Sequence, residues 1–458
     1  MSIKTEQVTL FEEELEQAPE SCAAVLVPYP VDKAYDYGVI EGEMLGPGDY
    51  VTVPLGGREV PAVVWGDAAG DVNPAKLKSV VLKHKMKPMP EVMRKFIDWV
   101  AEYTMTPKGF VLKMALSVPG ALNPPKSQKG YRSAGETDAK LTEKQQKVLD
   151  VLSDGQARIA ADIAREADVS AGVVKTLAGK GVLEEVDIFN PAPCKKPDPF
   201  REGPDLSEDQ DAAAAHLKEA VRSGEFSAAL LDGVTGAGKT EVYFEAVAEA
   251  LKQNKQVLIL IPEIALSNAF LDRFQDRFGC TPALWHSHLS SGQRKTTWRG
   301  VAEGHSKVVV GARSALFPPY QDLGLIVVDE EHDPAYKQED GVIYHARDMA
   351  VVRAHMGEFP IVLVSATPSL ETVHNAWQGR YEHLHLPDRF GGARMPEIES
   401  IDMRADKPEA QHFISPTLKN AIVETVQKGE QVLLFLNRRG YAPLTLCRSC
   451  GHRMDCPR

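Results

Sequence analysis

Residues 233–240 read Gly-Val-Thr-Gly-Ala-Gly-Lys-Thr, a complete G-x-x-x-x-G-K-[ST] phosphate-binding loop. An apolar run at 228–231 precedes the loop and a helical pattern at 241–251 follows it, which is the strand–loop–helix context that the motif requires. Glycines leave backbone N–H groups free to cradle phosphates at a helix N-terminus. The pattern predicts that Lys239 reaches the β and γ phosphates of a nucleotide and that Thr240 holds Mg²⁺.

A second group of candidate catalytic residues lies in the sequence Asp329-Glu330-Glu331-His332, directly after the apolar run at 325–328, and begins with Asp329 and Glu330. Asp329 is expected to hold the same Mg²⁺ through water, and Glu330 to orient the attacking water. A chance Gly-rich turn is the alternative for the loop alone. The loop and the acidic box together predict an ATP-driven motor.

Length and composition bound the class of protein. With 458 residues, about three domains are expected. Hydrophobic and charged contents of 43% and 25% are typical of globular protein, and we expect a cytoplasmic location because the sequence shows neither a membrane span nor a signal peptide. A net charge of −12 lowers the expectation of nucleic-acid binding without excluding it, since such binding depends on local basic patches.

Three cysteines lie close together near residue 458. Cys447 and Cys450 form a C-x-x-C pair, and His452 and Cys456 follow. Such a knuckle directs two thiolates at one Zn²⁺, and four ligands close a structural site. A chance cysteine pair is the alternative.

Shifts in composition divide the chain into segments. A β-rich domain comes first, then a winged-helix pattern, then apolar strands that alternate with helices and are typical of a parallel α/β sheet. The expected α/β strands are 228–231, 257–261, 307–310, 325–328, 361–364 and 432–436. The expected segments are a disordered acidic tail at 1–21, the β-rich domain at 22–120, a linker at 121–139, the winged helix at 140–190, a second linker at 191–204, and the α/β region at 205–390 and 391–458.

The winged-helix pattern leaves two roles open. Its third helix, expected at about 170–177, carries only Lys175 as a basic residue, whereas reading of a DNA major groove usually needs several polar and basic side chains. A structural or protein-contacting role is therefore as good an interpretation as DNA binding.

The order of short segments along 205–440 resembles that of the superfamily 2 helicases. The resemblance implies two RecA-like lobes, the first whole and the second partial. It implies that Gln210 contacts adenine, that Arg313 in a Gly-Ala-Arg-Ser-Ala-Leu-Phe segment contacts DNA, and that Ser365-Ala366-Thr367 couples ATP hydrolysis to movement. It adds His332 to the catalytic residues of the acidic box. The implied nucleotide-binding residues are Gln210, Gly233, Val234, Thr235, Gly236, Ala237, Gly238, Lys239, Thr240 and Glu241.

Longer strings narrow the resemblance to the PriA family of bacterial primosomal replication-restart helicases. They include Gly-Val-Thr-Gly-Ala-Gly-Lys-Thr-Glu-Val-Tyr at 233–243 and Asn-Arg-Arg-Gly-Tyr at 437–441. The resemblance implies that the domain at 22–120 binds the 3′ end of a nascent strand and that ATP and Mg²⁺ drive 3′→5′ unwinding at stalled forks. The implied partners are forked and single-stranded DNA, primosome proteins and single-stranded-DNA-binding protein, with no membrane, and the chain is expected to be a monomer.

Tyr35-Asp36-Tyr37 matches the aromatic-Asp-Tyr pocket of this family. Asp36 is expected to accept a hydrogen bond from a terminal 3′-hydroxyl, and Tyr37 to support base stacking. A polar strand edge with two half-buried tyrosines is the alternative. The segment 336–344 matches the family's aromatic-rich coupling loop, in which Tyr344 is the expected DNA contact.

The resemblance also implies a two-zinc module, of which Cys447, Cys450 and Cys456 match three of eight ligands. The chain is accordingly expected to be truncated at its C-terminus, with weak zinc binding unless His452 or another chain completes a site. An alternative function is then a fork- and nucleotide-binding fragment without motor activity. A third candidate is another P-loop translocase, such as a restriction subunit.

Overall fold

The fold is that of a computed structural model, which describes residues 21–40, 42–70, 77–124, 128–135, 141–153, 155, 157–188, 194–262, 267–389, 397–409, 412–435, 445–446 and 453–454. The expected acidic tail therefore lies outside the described residues, apart from residue 21.

The N-terminal β-rich region forms a five-stranded antiparallel sheet followed by two helices, as its short β-branched runs predict. The elements are β1 Cys22–Leu26, β2 Tyr35–Gly38, β3 Tyr50–Leu55, β4 Arg58–Asp67, β5 Leu82–Lys83, α1 Glu91–Tyr103 and α2 Lys108–Ala115. The strand order is β2-β1-β4-β3-β5. Alternate residues such as Val25, Val51 and Val53 fill a core on one face of the sheet, which is how period-two alternation builds a half-buried sheet.

The next region contains three short helices and a small sheet with its own core. Its elements are β6 Gln128–Ser133, α3 Glu143–Val151, β7 Arg158–Ile159, α4 Ala160–Glu166, α5 Ala171–Gly179 and β8 Leu183–Ile188. Val148, Ile163 and Val174 are fully buried among the helices. The sheet order is β7-β6-β8, so six residues of the expected linker at 121–139 form a paired strand. A polar, Gly-containing run indicates a linker when it is considered alone, but pairing with β8 satisfies its backbone.

Region 205–390 is a parallel sheet with helices between its strands. The elements are α6 Glu208–Ser223, β9 Ala228–Gly233, α7 Lys239–Lys252, β10 Gln256–Leu260, α8 Asn268–Phe278, β11 Ala283–Trp285, α9 Ser291–Ala302, β12 Val308–Gly311, β13 Leu323–Asp329, β14 Lys337–Gln338, β15 Tyr344–His345, α10 Ala346–Met356, β16 Ile361–Ser365, α11 Leu370–Trp377 and β17 Glu382–Leu386. The seven parallel strands are ordered β11-β12-β10-β13-β16-β9-β17, and β14 and β15 form a separate hairpin. All seven carboxyl ends meet at one edge, where such sheets bind ligands.

The N-terminal domain and the parallel-sheet lobe share one hydrophobic core. The Tyr50 and Trp298 rings make an edge contact with centroids 5.9 Å apart, and the Phe96 and Phe317 centroids are 5.8 Å apart. The indole N–H of Trp298 donates to the Ala115 carbonyl at 2.7 Å. The two domains are therefore packed as one unit rather than joined only by a linker.

Residues 393–458 form a second unit with few described elements: α12 Pro416–Gln427, and the antiparallel pair β18 Thr445–Leu446 and β19 Arg453–Met454. Within the expected strand at 432–436, the described residues 432–435 form no strand, and Leu433 and Phe435 are exposed. An apolar run becomes a buried strand only where a neighbouring strand pairs with it, and among the described residues none does. Across the described chain, no helix combines the length and apolar character needed to cross a membrane.

Candidate functional site

The phosphate loop joins β9 to α7 at the carboxyl edge of the sheet, as its motif predicts. Gly238 precedes the first residue of α7 and has a φ of +77°, a conformation that favours glycine. A Cβ at Gly238 would also collide with the side-chain amide of Gln210. The loop thus lies at the N-terminus of a 14-residue helix, where free N–H groups and the helix dipole favour an anion.

Lys239 points back into the loop. Its Nζ donates to the carbonyl oxygens of Gly233 at 2.7 Å and Val234 at 3.2 Å. Burial lowers the pKa of Lys239, and the nearby charges of Glu330 and Asp329 raise it in opposition. The amine of the loop and the acidic box are therefore close enough to interact electrostatically.

Asp329 ends β13 and is held by two hydrogen bonds. Its Oδ2 accepts from the Tyr243 hydroxyl at 2.9 Å, and its Oδ1 accepts from the Glu330 N–H at 3.0 Å. Burial raises the pKa of Asp329 to about 6, against the lowering effect of the Tyr243 hydrogen bond. The carboxylate is buried and oriented, as a ligand for a cation or its bound water would be.

Glu330 adopts a strained backbone conformation, with φ at +50° for a residue that has a side chain. Non-glycine residues in this region cost free energy and persist where surrounding contacts enforce them. Here the next N–H, that of Glu331, donates to the Val364 carbonyl at 3.0 Å, which ties the box to β16. This turn leaves Glu330 partly exposed while Glu331 is buried.

Glu331 is a functional candidate that the sequence analysis did not single out. Its carboxylate pairs with Arg347 at 3.0 Å and accepts from Ser369 N–H at 2.6 Å, Ser369 Oγ at 3.0 Å and Thr372 Oγ1 at 2.9 Å. Ser369 is the residue that caps α11. Glu331 therefore anchors the N-terminus of α11, the helix that follows the 365–367 segment. The signal in the sequence was an acidic residue at a position where the apolar strand pattern had ended.

His332 contacts the Ser365-Ala366-Thr367 segment, a link that the sequence did not predict. Its Nδ1 lies 2.7 Å from Ser365 Oγ, which also accepts from the Thr367 N–H at 3.0 Å. β13 and β16 are neighbours in the sheet, so the box and this segment leave adjacent strand ends. The acidic box and the 365–367 segment are therefore connected both by the His332–Ser365 contact and by the pairing of β13 with β16.

Gln210 contacts the phosphate loop directly. Its Nε2 donates to the Ala237 carbonyl at 2.8 Å and its Oε1 accepts from the Ser207 N–H at 2.9 Å, completing a capping box at the start of α6. Both ends of the amide are therefore engaged within the protein, and the side chain is buried. In this conformation Gln210 stabilises the phosphate loop through its hydrogen bond to the Ala237 carbonyl.

The segment expected to couple DNA to ATP lies against the acidic box. Arg313 Nη1 donates to the carbonyls of Ala335 and Lys337, both at 3.0 Å. The Tyr336 hydroxyl lies 2.5 Å from the Asp329 carbonyl, a direct connection that the sequence did not reveal. Tyr344 is only 3% exposed and packs edge-on against Phe317, so its ring faces protein rather than solvent.

The three residues of the expected 3′-end pocket lie on β2, and their burial increases from Tyr35 through Asp36 to Tyr37. The Asp36 carboxylate accepts from the Ala69 N–H at 3.1 Å and the Gly70 N–H at 2.8 Å. Tyr37 is 4% exposed and its hydroxyl donates to the Pro54 carbonyl, whereas Tyr35 is 43% exposed. Of the two rings, Tyr35 is the one presented for stacking, because it lies at the exposed start of β2, whereas the ring of Tyr37, on the same face of the strand, is buried in the core.

The remaining sequence-predicted residues are not placed. Cys447, Cys450, His452 and Cys456 lie outside the described residues, as does the Asn-Arg-Arg-Gly-Tyr segment at 437–441.

Two family models match the chain. Residues 207–376 match the DEAD/DEAH box helicase family, and residues 24–117 match the 3′DNA-binding domain, 3′BD. These segments correspond to the parallel-sheet lobe and the N-terminal sheet domain.

Curated relatives are similar across both regions. The chain is 37% identical over 435 residues to the replication restart protein PriA of Rickettsia felis, covering 95% of this chain and 56% of that protein. It is 40% identical over 324 residues to the PriA protein of Bacillus subtilis, covering 69% of this chain and 40% of the relative. The PriA protein of Haemophilus influenzae is 35% identical over 450 residues, with 94% and 60% covered. The chain thus spans about half the length of the curated relatives that it matches.

Proposed function

Because the chain belongs to the family of PriA replication restart proteins, we propose that it is an ATP-dependent 3′→5′ DNA helicase that recognises stalled or abandoned forks and initiates primosome assembly. The observation that carries the proposal is the hydrogen bond from Tyr243 to Asp329, which places the acidic box against helix α7, whose first residue is Lys239, at the carboxyl edge of one parallel sheet. The domain that matches the 3′DNA-binding family packs on the same lobe. The comparisons, which are with replication restart proteins, do not favour a motor-deficient fragment.

The residues at this edge fit ATP and Mg²⁺. The glycine cradle before α7 offers N–H donors to phosphates, and Lys239 exchanges its carbonyl partners for phosphate oxygens. Thr240 and Asp329 are the hydroxyl and carboxylate that would hold Mg²⁺, which would supply neutralisation of phosphate charge. Glu330 orients the attacking water. His332, bonded to Ser365, transmits changes at this site to the adjacent strand end.

The N-terminal domain supplies fork recognition in this proposal. Asp36 accepts a hydrogen bond from a free 3′-hydroxyl, and the exposed ring of Tyr35 stacks on the terminal base. Tyr37 supports the pocket from the core side through its bond to Pro54. Arg313 is the proposed DNA contact beside the β14–β15 hairpin, to which it is bonded through the Lys337 carbonyl. The expected contact from Tyr344 is not proposed, because its ring is buried against Phe317.

Zinc and protein partners complete the proposal. Cys447, Cys450 and Cys456 would bind Zn²⁺ as part of a two-zinc module, with His452 as a further ligand. The three-helix domain at 140–190 is assigned a winged-helix role in contacting DNA or a partner. The proposed partners are primosome proteins and single-stranded-DNA-binding protein.

The proposal is tested by ATP hydrolysis with forked DNA. We expect hydrolysis that a fork stimulates and that Lys239→Ala abolishes. Stimulation should be lower when the 3′-hydroxyl of the fork arm is replaced by a 3′-phosphate, and Asp36→Asn should remove this difference. Asp32→Asn, an exposed carboxylate four residues away, is the matched control and should retain it. Hydrolysis that is indifferent to Lys239→Ala would refute the motor, and equal stimulation by the two fork ends would refute 3′-end recognition.

A further inference from the structure

Two histidines and one aspartate meet beside the phosphate loop. His383 and His385 lie on edge strand β17, which pairs in parallel with β9, and His385 is opposite Asp232 in the register. Residues two apart on a strand share a face, and directly paired residues do too, so all three side chains project from the same side of the sheet. On the opposite side, Leu384 and Leu386 pack against the core around α7, so the two faces of β17 have different surroundings.

The distances fit a metal site better than a hydrogen-bonded pair. Asp232 Oδ2 lies 3.3 Å from His383 Nε2 and 3.3 Å from His385 Nδ1, and the three atoms all lie within 4.8 Å of one another. Strong N–H···O bonds are about 2.7–3.2 Å long. Ligand atoms at about 2.0–2.1 Å from a tetrahedral ion are separated by about 3.3 Å, which matches the two distances from Asp232 to the histidine nitrogens.

We propose that Asp232, His383 and His385 bind a first-row divalent transition-metal ion of the Zn²⁺ class. Two imidazoles and one carboxylate suit such an ion, whereas Mg²⁺ and Ca²⁺ prefer oxygen ligands alone. Both histidines are at least 40% exposed, which leaves the fourth position open to water and gives the ion a path of entry. No other group of three such ligands occurs among the residues that the structure describes.

The site would act on the phosphate loop through the backbone. Asp232 is followed directly by Gly233, whose carbonyl accepts from Lys239, and a Cβ at Gly233 would lie 2.8 Å from Leu386 Cβ. Leu386 in turn follows His385. A metal that links Asp232 to both histidines therefore clamps β17 to the strand from which the loop starts, and it stabilises the folded state by an amount that grows with the logarithm of the free metal concentration above its Kd. This inference does not depend on the helicase proposal.

The test must distinguish Zn²⁺ bound at this site from Zn²⁺ bound by the cysteines near residue 458. In the full chain carrying Cys447→Ser, Cys450→Ser and Cys456→Ser, Zn²⁺ titration by calorimetry at pH 7.5 should give one ion per chain. His383→Gln combined with His385→Gln, and separately Asp232→Asn, should weaken that binding by roughly 100-fold. His286→Gln with His288→Gln is the matched control, because these residues have the same spacing and similar ring separation but join no described third ligand.

X-ray absorption of the Zn²⁺-loaded chain that carries the three Cys→Ser changes should show nitrogen and oxygen ligands at about 2.0 Å and no sulfur. Retention of Zn²⁺ after loss of both histidines, or absence of binding by the chain that carries the three Cys→Ser changes, would overturn the proposal. If Asp232→Asn fails to fold, the double variant His383→Gln with His385→Gln still tests the proposal, because both side chains are exposed and their replacement leaves the core unchanged.

Discussion

Glu331 and Arg347 form an ion pair that is shielded from solvent, with 3.0 Å between the carboxylate Oε2 and the guanidinium Nη1. Both residues also contact the Ser369 hydroxyl, at 3.0 and 2.6 Å respectively. The pair therefore connects the acidic box, helix α10 and the start of α11 through three side chains. Buried charges of this kind depend on each other, because neither is solvated by water.

Removing one partner of this pair should cost more than removing both. Arg347→Met leaves the Glu331 carboxylate buried without its cation, and we expect a loss of about 3–5 kcal/mol in the free energy of unfolding. Glu331→Gln added to Arg347→Met should recover part of that loss, because the amide is neutral. Denaturant unfolding of the two single variants and the double variant gives the coupling energy. Strictly additive effects would show that the pair is not an energetic unit. Arg404→Met, in an exposed pair with Asp402, is the control and should change the free energy little.

Asp329→Asn should abolish ATP hydrolysis and yet stabilise the protein at neutral pH without nucleotide or Mg²⁺. The pKa of Asp329 is raised to about 6 by burial, so the folded state holds the proton more tightly than the unfolded state between about pH 4 and 6. Stability therefore falls as pH rises through that window, and the deficit persists at pH 7.5. The neutral amide removes it, with an expected gain of roughly 1–3 kcal/mol.

Thermal unfolding at pH 5 and pH 7.5 checks this prediction, since the gain should be larger at pH 7.5. Asp340→Asn, at an exposed loop position, is the control and should show no difference between the two pH values. A destabilised Asp329→Asn protein at pH 7.5 would contradict the assignment of a burial cost to this carboxylate.

Tyr243→Phe should move the acid limb of the pH profile for ATP hydrolysis to higher pH. The Tyr243 hydroxyl donates to Asp329 and lowers its pKa, so loss of the hydroxyl raises that pKa further and protonates the carboxyl earlier as pH falls. The measurement is kcat/KM for ATP against pH, which reports the pKa of the protein without bound nucleotide. Tyr320→Phe removes another buried hydroxyl, bonded to the Ala315 carbonyl, and should leave the limb in place. Identical limbs in Tyr243→Phe and the unaltered chain would argue against this role.

Trp298→Phe should weaken the junction between the N-terminal domain and the parallel-sheet lobe. The change deprives the Ala115 carbonyl of its donor and removes volume beside Tyr50, so we expect a loss of about 1–3 kcal/mol. Hydrogen exchange of α2 should rise, because Ala115 is its last residue. Trp377→Phe, at an exposed position, should change neither quantity. Unaltered exchange in α2 would mean that contacts other than those of Trp298 hold the two domains together.

Local sequence patterns were sufficient for the elements and for the chemistry at strand ends. The phosphate loop, the acidic box and five of the seven parallel strands follow from apolar runs and fixed motifs, because a buried parallel strand needs apolar residues on both faces. The positions of Lys239, Thr240 and Asp329 near the ends of buried strands could be predicted for the same reason. The strand expected at 432–436 shows the limit of this approach, since its apolar composition was not matched by a described partner strand.

Tertiary structure alone decided which residues meet. The burial of Glu331 against Arg347, the bond from Tyr243 to Asp329 and the cluster of Asp232 with His383 and His385 join residues 16, 86 and more than 150 positions apart. Strand order in the sheet determines such contacts, and no local pattern encodes that order. The same reason explains β6, whose polar sequence becomes a strand only because β8 pairs with it. Sequence determined the chemical groups that the protein carries, and long-range packing decided their partners.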